Sequence, residues 1–211
     1  TVRMAVLFFI PLILTTELHQ LSHSLVHGFL ARLGDPTTTL AAFSIAFSFN
    51  TTFSGIMSVA TQAGMSYITD KVSFWRIARF YFFICMAPFI LIESVALTPA
   101  GDWLFGTMMG ASPEVTRLAK VSSAVMGLWI LPNQVRNITT ALCMMHRRTM
   151  LISHSTMLRL ASQALMLLVL PFWLEGAVAG AASLIGCMTV EAVYMAWVSR
   201  QFYDALPDRG G

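Results

Sequence analysis

The sequence has 211 residues, 56% of them hydrophobic and 11% charged, with a formal net charge of +3 and a mean hydropathy of +0.71. A water-soluble domain of this size carries far more surface charge, so soluble folds are excluded and a polytopic, all-α transmembrane protein is expected. There is no glycine-rich phosphate loop, GxSxG or HExxH, and no nucleophile stands beside a base, so nothing points to an enzyme, a cofactor or nucleic acid.

Six long hydrophobic segments can be marked, at residues 4–33, 37–69, 74–97, 113–145, 150–173 and 177–202, and are read as one six-helix transmembrane domain. The first is the most informative. Its apolar run 4–13 continues directly into LTTELHQLSHSLVHGFLARLG (14–34), so the segment is long enough to cross a bilayer. Its second half carries Glu17, His19, Gln20, His23, His27 and Arg32. Such groups are costly against lipid and should face a protein interior or a water-filled cavity. His19, His23 and His27 recur every fourth residue and share one face, with Gln20, Ser24 and Gly28 beside them. That is the pattern of a pathway-lining helix. No cleavable signal peptide is expected, because residues 1–13 lead straight into this span, and a start at Thr1 implies trimmed or missing first residues.

The breaks between segments are short. Gly34-Asp35-Pro36-Thr37 pairs a helix stop with start signals, and Asp70-Lys71-Val72-Ser73 is polar. The third break, residues 98–112, holds Pro99, Gly101, Gly106 and Gly110, and its Trp103, Leu104, Phe105 and Met108 are expected to lie flat at the membrane interface. His146-Arg147-Arg148-Thr149 and residues 171–176 complete the set, and the tail 204–211 is expected to be mobile. Basic residues fall in alternate breaks: Arg3, then Lys71, Arg76 and Arg79, then Arg147 and Arg148, then Arg200 and Arg209. The positive-inside rule makes that side cytoplasmic, with both termini inside, as six spans in a plasma or inner membrane require. Pro11, Pro88 and Pro132 lie within apolar runs, where each removes a backbone hydrogen bond. Pro132 is followed by Asn133, Gln134, Arg136 and Asn137, whose side chains are expected to serve the freed carbonyls.

The ionisable groups expected inside the membrane are mostly basic. Arg32, Arg117, Lys120, Arg136 and Arg159, with His154 and the first-helix histidines, stand against Glu17, Glu93 and Glu191. Internal pairing, such as Arg159 with Glu17 or Glu191, pins helices together but cannot neutralise every basic group. A cavity with surplus Arg, Lys and His attracts anions, and guanidinium fits carboxylate or phosphate. The histidines are read as hydrogen-bonding or titrating cavity walls rather than metal ligands, since one helix cannot converge all three on an ion. Cys85, Cys143 and Cys187 sit in apolar runs with no metal or disulfide spacing and are read as small buried side chains. The fourteen methionines are read as adaptable packing.

AAFSIAFSF (41–49), QVRNITTAL (134–142) and STMLRLASQALMLLVLPFWLEGAVAGAASL (155–184) carry a resemblance. The chain resembles one half of a MATE-type transporter, of the multidrug/oligosaccharidyl-lipid/polysaccharide exporter superfamily, and within it the progressive ankylosis protein family. Members of that family resemble two six-helix halves in one chain, whereas this sequence supplies one. The resemblance implies a homodimer, or a pair with a similar half, whose pathway lies between subunits, and export of pyrophosphate, ATP or citrate-like anions. Beside it, the residues give Arg159, Arg136 and Lys120 as anion contacts, with Arg117, Asn133, Asn137, His154 and Glu191 as further substrate or pathway residues. His19, His23, His27 and Glu17 are the pathway lining. The alternatives are a MATE-type cation, drug or lipid carrier that uses Glu17, Glu93 and Glu191, and a non-transporting subunit whose buried charges only pair helices.

Overall fold

A computed structural model describes residues 10, 13, 17–18, 21–33 and 35–208, and the described residues form helices with no strand. Helix α1 comprises residues 21–30. It is followed by α2 (Pro36–Thr51), α3 (Ser54–Tyr67), α4 (Lys71–Leu97), a π-helical turn (Asp102–Met108), α5 (Pro113–Gly127), α6 (Ile130–Met145), α7 (Thr149–Val169) with a 3₁₀ turn (Leu170–Phe172), and α8 (Gly176–Asp204). Local chemistry explains the starts. Pro36 and Pro113 open α2 and α5 in the first turn, where a missing N–H costs nothing, and Asp35 and Ser112 cap the same ends. At α4, Asp70 Oδ1 accepts from the Ser73 N–H at 2.6 Å while Ser73 Oγ accepts from the Asp70 N–H at 3.0 Å, a reciprocal cap.

Helix α4, α7 with its 3₁₀ turn, and α8 are each long and apolar enough to cross a membrane. The second hydrophobic segment is two helices, α2 and α3, bent by 43°. Side chains account for the break. Thr51 Oγ1 donates to the Phe47 carbonyl at 2.8 Å and Thr52 Oγ1 to the Ser48 carbonyl at 2.9 Å, and such back-bonding bends helices. The fourth segment is likewise divided, into α5 and α6. Here Pro132 acts one turn upstream: it has no N–H for the Leu128 carbonyl, which accepts from Leu131 N–H instead at 3.2 Å. The freed carbonyl is therefore served by backbone rather than by the polar side chains that follow the proline. Pro88 is tolerated inside a continuous α4, and Pro11 lies outside the described residues.

The two broken segments pack piece against piece, α2 on α5 and α3 on α6, and α8 runs beside α5, α6 and α7. Asn50 Nδ2, near the end of α2, donates to Ser123 Oγ in α5 at 2.9 Å. The main core gathers Val26, Leu30, Phe43, Met126 and Leu184 with Phe105 from the π-helical turn. Of the residues expected to lie flat at the interface, Phe105 instead is fully buried and meets Phe49 edge-on at 5.5 Å, while Trp103 and Met108 are exposed. The tail also differs from expectation as far as residue 208, because Leu206 is buried against Ile68, Phe74 and Leu142 and Lys71 Nζ meets Asp208 at 2.7 Å. By contrast α4 turns Trp75, Phe80, Phe83, Ile90 and Leu91 outward, a face suited to lipid.

Close helix approach depends on small residues. A Cβ added to Gly64 in α3 would come within 2.7 Å of the Ala141 Cβ in α6. Gly64→Ala should therefore push these helices apart and cost about 1–3 kcal/mol. Thermal unfolding in detergent checks this, and an unchanged melting temperature would contradict the packing.

Candidate functional site

The polar interior is built where α6, α7 and α8 meet. On α7, Ser155, Arg159 and Gln163 follow at four-residue spacing, so all three face the same neighbours. Arg159 and Glu191 of α8 have side chains only 3% exposed, while Arg136 of α6 is 23% exposed. Both arginines converge on one carboxylate: Arg159 Nε and Arg136 Nη1 each lie 3.7 Å from Glu191 Oε2. On its other oxygen, Glu191 Oε1 accepts from Ser155 Oγ at 3.3 Å and Thr156 Oγ1 at 3.4 Å. Those hydroxyls also donate to the Ile152 carbonyl, at 2.7 and 3.0 Å.

Two features of this triad matter chemically. Two guanidinium groups share one carboxylate, so the cluster carries surplus positive charge. It is also loosely made, since 3.7 Å is an ion-pair distance rather than a hydrogen bond. Arg159 Nε and Nη2 are buried without a hydrogen-bond partner among the described residues, and Nη1 has only the Met188 Sδ at 3.6 Å. A planar five-donor group in that condition is chemically ready for an oxyanion.

Helix α1 closes one side of the cluster. Gln163 Nε2 donates to the Ser22 carbonyl at 3.2 Å, and the Ser22 hydroxyl donates to Gln163 Oε1. The next residue, His23, lies within Coulombic reach of Arg159. Its ring packs against Phe47 at 4.7 Å, and His27 meets Phe43 edge-on at 5.3 Å. Half-buried His23 and His27 thus rest on the aromatic face of α2. Glu17 is exposed, and His19 and Gln20 lie outside the described residues.

The remaining expected site residues are dispersed. Asn133 and Asn137 are buried on α6, on the same stripe as Arg136. Arg117 and half-buried Lys120, in the first half of α5, are held in ion pairs: Arg117 Nη2 approaches both Glu175 oxygens, at 3.3 and 3.2 Å, and Lys120 Nζ meets Asp102 at 2.7 Å. His154 and Arg32 are exposed. Glu93 on α4 stands apart from the triad, with its carboxylate against Gly127 at the end of α5 and Oε1 unpartnered among the described residues. Gln163, Ser22 and Thr156 were not singled out from the sequence, although the four-residue step from Arg159 points to Gln163. The three cysteines are buried and unpaired. Among the described residues no three His, Cys, Asp or Glu side chains gather as a metal site.

No known protein family and no curated protein matches the sequence. Solved structures do. A MOP-superfamily transporter from Pyrococcus furiosus, whose reversed binding-pocket polarity is described as suggesting a different function, is 19% identical with a TM-score of 0.68. It covers 98% of this chain and 46% of its own length. An outward-facing multidrug-resistance MATE transporter of the same superfamily is 17% identical with a TM-score of 0.70, over 98% of this chain and 47% of its own. A MATE protein in complex with MaD3S is 21% identical with a TM-score of 0.67, over 92% and 44%. The chain has the fold of one half of a MATE transporter, and it spans about half the length of the structures it matches.

Proposed function

We propose that this chain is one half of a membrane transporter that exports small organic or phosphate anions by alternating access. A second copy, or a similar half, completes the pathway. The observation that carries the reading is the Arg136–Glu191–Arg159 triad, two guanidinium groups on one loosely held carboxylate. In this mechanism Glu191 occupies the cationic pair at rest. An arriving carboxylate or phosphate displaces it, taking the donors that Arg159 leaves unused, and Arg136 offers the more accessible edge. His23, within reach of Arg159, lines the route along α1. Helices α1 and α3 expose Ser24 and Gln62 among apolar Leu25, Ile56, Val59 and Met65, a mixed surface that a facing second half can cover. The likeness to the progressive ankylosis family points to citrate, pyrophosphate or ATP as cargo. The pocket polarity described for the Pyrococcus furiosus transporter is a precedent, on this fold, for reversed polarity going with a different function.

A second reading has one observation in its favour: the buried, unpartnered oxygen of Glu93 is a candidate proton or cation carboxylate, as a drug antiporter would use. Proteoliposomes containing the purified chain and loaded with labelled citrate, pyrophosphate or ATP separate the two. Efflux of at least one of these anions is expected. No efflux of any of them from folded, bilayer-inserted protein, with uptake of a lipophilic cation instead, would overturn the anion reading in favour of the Glu93 one.

A further inference from the structure

A cavity of about 580 Å³ opens between α4, α6 and α8, at the end of the bundle where α4 begins and α8 finishes, and the triad residues are not part of its wall. Arg79 of α4 and Arg200 of α8 stand on its rim, and Trp75, Phe82, Val135 and Ala196 are among the residues that line it. Among the described residues neither arginine takes part in a salt bridge, although Asp204 follows one turn after Arg200. The indole N–H of Trp75 donates to the Tyr203 hydroxyl at 2.9 Å, an aromatic pair of the kind that sits at headgroup depth. The same end carries Lys71 and Arg76.

We infer that this groove is a binding site for one anionic phospholipid, its phosphate held by Arg79 and Arg200 and an acyl chain lying along Phe82, Val135 and Ala196. Charge decides the occupant: two exposed guanidinium groups, in no salt bridge among the described residues, beside an apolar slot match a phosphate diester with a hydrocarbon tail. A zwitterionic lipid brings its own cation to the same place and gains less. A free phosphate ester leaves the apolar wall uncovered. The site requires only that the chain sits in a bilayer, and it is separate from the triad.

Native mass spectrometry of the purified protein, titrated in detergent with phosphatidylglycerol or phosphatidylcholine, tests this. One phosphatidylglycerol should bind about tenfold more tightly than phosphatidylcholine. Arg79→Gln with Arg200→Gln should remove the preference, whereas Arg76→Gln, on the same end but off the groove, should keep it. If the double variant fails to fold, each single variant should still lose about threefold. Equal binding of the two lipids, a preference surviving the double variant, or an equal loss in Arg76→Gln would overturn the assignment. So would displacement of the lipid by glycerol 3-phosphate, which would make the groove a phosphate-ester site instead.

Discussion

Glu191→Gln should destabilise the protein by about 3–5 kcal/mol, the range expected when one member of a buried ion pair is removed and its partner left uncompensated. The loss is severe here because the carboxylate serves two cations at once, each 3.7 Å away. Glutamine leaves two guanidinium groups facing each other among buried neighbours. The effect has a signature beyond its size. Removing the second cation in Arg136→Gln/Glu191→Gln should recover part of the loss, since Arg136 is the partly exposed member and Arg159 is left with a neutral amide. Thermal unfolding of the four members of this mutant cycle in detergent gives the coupling directly. An unchanged melting temperature for Glu191→Gln, or no recovery in the double variant, would mean that the triad does not tie α6, α7 and α8 together.

Arg159→Gln should lower anion efflux by at least about tenfold while the protein remains folded and assembled. In the resting arrangement Arg159 has one ion pair beyond hydrogen-bond distance and a weak sulfur contact, with Nε and Nη2 unpartnered among the described residues. The bundle therefore gains little hydrogen bonding from this side chain, while an incoming oxyanion gains a great deal. Glu191 also keeps Arg136 when Arg159 is lost, so the structural cost should be smaller than for Glu191→Gln. Arg159→Lys should fall between, because it keeps the charge and loses the planar fork. Initial efflux rates from proteoliposomes, with size-exclusion profiles recorded in parallel, separate the two roles. Wild-type efflux from Arg159→Gln would remove it from the transport mechanism.

Much of the helical layout could be read from composition and periodicity, because hydrophobic runs of bilayer length carry their meaning locally. Glu17 and Glu191 were both open to Arg159 as partners, and the choice of Glu191 rests on tertiary packing that no local pattern shows. What one sequence cannot reveal is which distant side chains meet. Arg117 and Lys120 read as cavity cations until Glu175 and Asp102 arrive from other segments. Leu206 reads as part of a polar tail until its packing against Phe74 and Leu142 is visible. The division of the fourth segment is a different lesson. Pro132 signalled it, but its effect falls one turn upstream, on the carbonyl that the missing N–H leaves unserved.

The interruptions in the second and fourth segments have a mechanical consequence. Because Asn50 fastens α2 to α5 beside both breaks, the pair α2–α5 can lean on the pair α3–α6 as one slab on another. At that level the regular ladders give way to tighter bonds, such as Phe53 N–H to the Asn50 carbonyl at 3.3 Å and Trp129 N–H to the Met126 carbonyl at 2.9 Å, so flexing there disturbs few α-helical bonds. Uninterrupted α4, α7 and α8 stand alongside as struts. Compliance in this bundle is thus concentrated in one transverse joint, and the stiff members fix the direction in which it can yield.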